Sequence, residues 1–188
     1  MAAYMIDDFC RDLDRIVVEQ QGHDRAIVAA AKPLLEKMLA DMSWLDPKYT
    51  RGVENASVQY RLRKHPDNLY FISATVFWNG YATPVHDHMT WGLVGLWHGT
   101  EQEERFTHDG ERTTPAKLRH VGTVVAEPGS VTTLIPPAQE IHRITNISPT
   151  PSYSIHVYGT DIDGMLRHRF DLETDEVKPF TVTVQTAV

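Results

Sequence analysis

With 188 residues, 41% of them hydrophobic, the chain is long enough to bury a core and is read as one domain; its formal charge of -7 argues against nucleic acid or an anionic membrane surface as the main partner. No apolar run reaches membrane-spanning length, and the opening MAAYMIDDFCRDL is too acidic and too interrupted for a signal peptide, so a cytoplasmic protein is expected. The single cysteine, Cys10, excludes an internal disulfide and a zinc finger, and is expected to be a buried structural thiol.

From residue 6 to about residue 21, Phe9, Leu13, Ile16 and Val17 recur at helical spacing, and Gly22 supplies a stop. A second helix starts near Asp24, a good N-cap, and carries Ile27, Val28 and Ala31 toward Pro33. Proline lacks an amide proton and clashes with the preceding turn, so Pro33 should kink this helix or open a new one. Leu34, Leu35, Met38, Leu39 and Met42 continue the apolar face. Residues 1–45 therefore read as two or three helices beside a β-domain, with residues 43–52, containing Pro47, as the boundary.

Residues 53–180 change character to short β-branched and aromatic runs separated by Gly, Pro, Asn and Asp. Strands are expected at residues 57–63, 70–78, 83–87, 91–97, 101–106, 118–125, 130–135, 141–144 and 153–158, with tight turns at Asp109-Gly110 and Pro128-Gly129. Many short strands without crossover helices imply an antiparallel sheet, closed as a barrel or jelly roll around a small ligand.

The chemistry concentrates in residues 80–99, GYATPVHDHMTWGLVGLWHG. Strand side chains alternate between faces, so His86 and His88 point one way and Asp87 the other. Two imidazoles aimed at one point can share a divalent iron, zinc, copper or nickel ion. Taken alone, the pair reads equally well as two surface histidines on an edge strand. A second cluster follows at residues 136–146, PPAQEIHRITN.

Together the two stretches resemble the metal-binding motifs of the cupin superfamily: Gly80, five residues, His86 and His88, and Gly99 after the next apolar strand; then Pro136, His142 and Asn146. Gly92 stands where the usual cupin glutamate would be, so the resemblance implies a ligand set of His86, His88 and His142 without a carboxylate. Three neutral ligands leave the ion its full charge, which favours an anionic substrate group such as a thiolate. A narrower resemblance covers roughly residues 53–180 and points to the thiol dioxygenases, the group of cysteine dioxygenase and 3-mercaptopropionate dioxygenase. It is carried by residues 83–88 (TPVHDH), 91–99 (WGLVGLWHG), 141–146 (IHRITN) and 154–159 (SIHVYG).

That resemblance implies a mainly β fold, a cupin jelly-roll antiparallel barrel with an N-terminal helical segment, and Fe(2+) as cofactor. It maps the group's Ser-His-Tyr relay onto Ser154, His156 and Tyr158. The alternation in SIHVYG agrees, since Ile155 and Val157 share one strand face and the three polar residues the other. The cysteine-tyrosine crosslink of animal cysteine dioxygenases is not expected, because its cysteine position aligns with Gly92. Gln59 takes the place of the arginine that binds the substrate carboxylate in those enzymes. Arg61, two residues on and hence on the same face, is a further carboxylate candidate with no family precedent, for one carboxylate or for the second of a dicarboxylic thiol. Near the C-terminus Arg167 aligns with an arginine that reaches the substrate in the mercaptopropionate group, with Arg169 as the competing choice.

The expected activity is oxidation of a small thiol carboxylic acid, 3-mercaptopropionate or a related mercapto acid such as mercaptosuccinate, by dioxygen to the sulfinic acid. Cysteine dioxygenase and a non-catalytic or differently acting metal-binding cupin are the alternatives. The expected partners are the small-molecule thiol and O2; oligomeric state is left open. His23, His65, His98, His108, His120 and His168 lack motif partners and are expected to be surface or structural; Trp78 and Trp91 are expected in the core or pocket wall. The acidic run at residues 101–104 is expected to be a solvated edge that discourages sheet pairing.

Overall fold

A computed structural model describes residues 3–108 and 110–187; Asp109, half of the expected Asp109-Gly110 turn, lies outside the described residues. Helix α1 (Ile6–Glu19) buries Ile6, Phe9, Leu13, Ile16 and Val17 as one stripe. Helix α2 (Asp24–Leu39) carries Pro33 inside it, so the proline does not open a new helix there. A proline in a helix interior costs about 3 kcal/mol. Here Ile27, Val28 and Ala31 before it and Leu35, Met38 and Leu39 after it are all buried, and each large apolar side chain contributes about 1.5–3 kcal/mol, so packing on both sides outweighs the lost bond. Cys10 is half-buried against this helical core rather than enclosed in it.

After a short 3-10 helix, Pro47–Thr50, the strands among the described residues are β1 (Ser57–Lys64), β2 (Phe71–Phe77), β3 (Val85–His86), β4 (Gly92–His98), β5 (Glu101–Thr107), β6 (Arg119–Ala126), β7 (Val131–Leu134), β8 (Ile141–Asn146), β9 (Ser152–Tyr158), β10 (Arg167–Phe170) and β11 (Val177–Phe180). They form two antiparallel sheets, ordered β1-β2-β9-β4-β7 and β11-β10-β3-β8-β5-β6. The last two strands escape sequence reading because RHRF and VKPF carry charged residues and a proline instead of a β-branched run; pairing to β3 and to each other makes them strands.

The helices cover the outer face of the first sheet. A methyl group at Gly95 would lie 2.7 Å from Leu39 Cδ1, so the glycine is what lets α2 lie close on β4. Ile72, Ala74, Leu93, Ile155 and Val157 face the helices in one apolar cluster. By strand alternation, Ser73, Thr75, Ser154, His156 and Tyr158 then face the interior between the sheets. That polar interior wall is where the site is built.

The acidic run does not form an exposed edge. β5 lies between β8 and β6, and alternation sends Glu101 and Glu103 inward, where they are 2% and 1% exposed. Glu104 points outward to Arg143, at 2.6 and 2.9 Å.

Candidate metal centre

β3 and β8 pair with His86 opposite His142, so register alone brings two imidazoles together; His88 reaches the same point from the turn beyond β3. The expected strand at residues 83–87 is reduced to Val85–His86, and Met89 just beyond turns the chain at φ 56°. One ligand nitrogen from each of the three buried histidines lies within 4.8 Å of the others, and the Nε2 atoms of His88 and His142 are 2.9 Å apart. Nitrogens bound to one ion at about 2.1 Å stand roughly 3–3.4 Å apart, so the set fits a divalent metal in donor type, with His88 and His142 near that spacing and the wider set needing a small inward turn of the rings to close on one ion. Burial first, then neighbouring imidazoles and Arg167, hold His86 and His88 well below the ordinary imidazole range, hence neutral with lone pairs to offer.

The far nitrogen of each ring is also held. His86 Nδ1 donates to the Pro84 carbonyl at 2.9 Å, and His142 Nδ1 to Glu103 Oε1 at 2.8 Å; both leave Nε2 bare for a cation. His88 differs, because Arg167 Nη1 lies 3.1 Å from its Nδ1 and a guanidinium can only donate. The hydrogen-bond network therefore puts the His88 proton on Nε2, pointing at His142. A cation held at that atom would need the proton moved to Nδ1, where the ring could no longer accept from Arg167. Burial raises the Glu103 carboxyl, but His142 and Arg105 outweigh it and keep the group below its ordinary range.

Above the triad opens a cavity of about 250 Å³ whose lining includes Gln59, Thr75, His156, Tyr158, Arg167 and Phe180. Ser154 Oγ lies 2.8 Å from His156 Nε2, and His156 Nδ1 lies 2.8 Å from the Tyr158 hydroxyl. Burial, then His142 and Arg167, push His156 down to about 3, so the ring carries one proton and the chain can be written in two directions. In one, Tyr158 donates to His156; in the other, Ser154 donates to Nε2, Nδ1–H donates to Tyr158, and the phenol proton is free for a molecule in the cavity. Burial raises Tyr158 to about 12, which keeps it a phenol. The Tyr158 ring stacks on His88 with centroids 5.2 Å apart.

Gly92 stands where a side chain would be crowded. A Cβ there would meet Tyr158 Cδ1 at 3.0 Å, Leu134 Cδ1 at 3.1 Å and the Val157 carbonyl at 3.2 Å, so the space of a fourth side chain is taken by the tyrosine. Among the described residues the metal-capable group is His86, His88 and His142 alone.

Of the carboxylate candidates, Arg167 is 2% exposed in the cavity wall, its Nε has no partner, and its guanidinium lies 5.2 Å from the Phe180 ring centre. Gln59 is in the wall too, with Nε2 donating to Ser73 Oγ at 2.7 Å. Arg169 is exposed. Arg61 is absent from the lining, and its Nη2 pairs with Asp163 at 2.9 Å, on a half-exposed side chain. Asp163 in turn accepts from the Val184 amide at 3.0 Å, and Arg61 N donates to the Gln185 carbonyl at 3.0 Å. Arg61 thus anchors the C-terminal segment, whose Val182 and Thr183 line the cavity.

No family model matches the chain. Solved structures similar to it include a cupin superfamily protein from Desulfitobacterium hafniense (17% identity, 59% of this chain and 84% of that one, TM-score 0.42). A Klebsiella pneumoniae protein with a double-stranded β-helix domain matches at 13% identity over 63% of this chain and 86% of that one, TM-score 0.47. An oxalate oxidase in complex with the substrate analogue glycolate matches at 16% identity over 64% of this chain and 61% of its own, TM-score 0.44. Two antiparallel sheets in this strand order make the fold a β jelly roll.

Sequence reading missed Glu103, Glu140, Arg112 and Phe180. Glu103 had a signal, the period-2 spacing from Glu101 inside a strand, and Glu140 sits in the second motif two residues before His142. Arg112 and Phe180 had none, since both reach the site from segments with no chemical pattern of their own.

Proposed function

We propose that this cupin oxidises the sulfur of a small thiol bearing one carboxylate, giving the sulfinate, with ferrous iron held by His86, His88 and His142. The observation that carries the reading is the shared cavity: three imidazoles, a relay ending in a phenol and one buried guanidinium line the same space. When bound, the iron would supply the redox chemistry that joins dioxygen to sulfur, and the overall conversion of thiolate plus O2 to sulfinate balances without an outside reductant.

The side chains supply binding, orientation and proton control. Arg167 is the one Arg or Lys among the lining residues, and the partnerless edge of its guanidinium suits a carboxylate, with Phe180 packed over it. Tyr158 offers a hydroxyl whose direction is set by His156 and Ser154. Thr75 and Gln59 line the wall beyond it.

This lining argues for substrate class. With Arg61 engaged by Asp163, a second carboxylate finds no cation, which favours 3-mercaptopropionate over mercaptosuccinate. No Asp or Glu lines the cavity, so the ammonium of cysteine has no ionic partner. The test is an oxygen electrode with sulfinate detection by NMR on iron-loaded protein. One O2 consumed per sulfinate formed, with kcat/KM highest for 3-mercaptopropionate, is the expected result. Absence of sulfinate from every mercapto acid and from cysteine would overturn the reading.

A further inference from the structure

The His86–Met89 stretch leaves the sheet after His86, so ladder pairing does not fix His88. What holds it is a carboxylate: Glu140 Oε2 accepts from the His88 amide at 3.1 Å and the Met89 amide at 2.6 Å. Next to it Asp87 accepts from the His168 amide and from His168 Nδ1, both at 2.8 Å. Both carboxylates are enclosed, at 2% and 0% exposure, and a counter-charge offsets much of the cost of enclosing them.

The counter-charge is Arg112, in the connection between β5 and β6. Its Nη2 lies 3.1 Å from Glu140 Oε1 and its Nε 3.4 Å from Asp87 Oδ2, on a side chain 13% exposed. Nη2 also reaches the Pro137 carbonyl at 3.3 Å. Arg167 touches the same turn from the cavity side, on the Asp87 carbonyl and His88 Nδ1, and forms an ion pair with neither carboxylate.

We propose that Arg112 is a positioning residue for the metal centre: by neutralising Glu140 it keeps that carboxylate on the His88 and Met89 amides, and so keeps His88 turned toward His86 and His142. Without the guanidinium, Glu140 Oε1 loses its partner at 3.1 Å and the carboxylate is no longer held against the turn. That weakens its hold on the two amides, and His88 loses its fixed place. The inference rests on the reading of the three histidines as metal ligands and is independent of the thiol chemistry.

The test is titration of the metal-free protein with cobalt(II), following the visible absorption of the bound ion, in Arg112→Gln, Arg112→Lys, Glu140→Gln and the Arg112→Gln/Glu140→Gln double variant. Losing a group behind a metal ligand weakens metal binding about 10–100-fold. That loss is expected for Arg112→Gln, with partial recovery in Arg112→Lys. Because Glu140→Gln already removes the shorter of the two ion pairs of Arg112 and leaves only the 3.4 Å contact with Asp87, adding Arg112→Gln to Glu140→Gln should cost less than about 3-fold more, a coupling that a merely structural arginine would not show. Wild-type affinity in Arg112→Gln, or a further loss of about 10-fold or more in the double variant, would overturn the proposal. Should Arg112→Gln fail to fold, the double variant against Glu140→Gln decides. A wild-type protein that takes up no cobalt overturns the metal reading itself.

Discussion

The two inward glutamates of β5 are one alternation apart and are held in opposite states, and Glu101→Gln measures the difference. Glu103 is kept ionised by His142 and Arg105. Glu101 has the Ser152 hydroxyl at 2.7 Å and no cation; burial, only partly offset by Ser152 and reinforced by Glu103, raises its carboxyl from 4.5 to about 7. A raised carboxyl favours the folded state while protonated. The contribution is complete below pH 4.5 and is lost as pH rises through about 7. At about 1.4 kcal/mol per pH unit of displacement, the loss amounts to about 3 kcal/mol. Glutamine keeps the shape and a hydrogen bond to Ser152 but has no charge to desolvate. In urea titrations of wild type and Glu101→Gln, the variant is expected to match wild type near pH 4. It should exceed it by about 3 kcal/mol at pH 8.5, a Tm difference of about 6–12 °C for a chain of this length. A stability difference that does not change with pH, or a variant weaker than wild type at pH 8.5, would refute the reasoning.

Arg167→Ala is expected to lower kcat/KM for 3-mercaptopropionate by about 100-fold, the scale of one charge-assisted pair of hydrogen bonds, measured by oxygen uptake on protein with confirmed iron content. Arg61→Ala, by contrast, should change kcat/KM for that thiol less than about 3-fold, because its partner is Asp163; a loss like that of Arg167→Ala would restore it as a substrate contact. Glu103→Gln should weaken cobalt(II) affinity by about 10–100-fold, read by the same absorption titration, since His142 Nδ1 loses its anionic acceptor.

Two kinds of feature could be read without a fold. Spacing left the HxH pair open and the resemblance to cupin motifs joined His142 to it, while alternation by itself read SIHVYG as a strand with a polar face. Composition separated the helices from the barrel. Both are local properties of the chain, governed by backbone periodicity and by burial of one face.

What the chain does with charge was decided only by three-dimensional neighbours. Period 2 put Arg61 on the face of Gln59, yet Asp163 and the C-terminal segment lie closer to its long side chain than the cavity does. The acidic run looked like a solvated edge, yet β6 pairs outside it, so Glu101 and Glu103 face inward. Arg112 carries no pattern at all, and its place follows from two buried carboxylates contributed by other segments. A side chain's charge is written in the sequence, but whether that charge meets water, a counter-ion or a ligand depends on which distant segment folds against it. Desolvation and Coulomb energies fall steeply with distance, so those partners, rather than local pattern, set each residue's role.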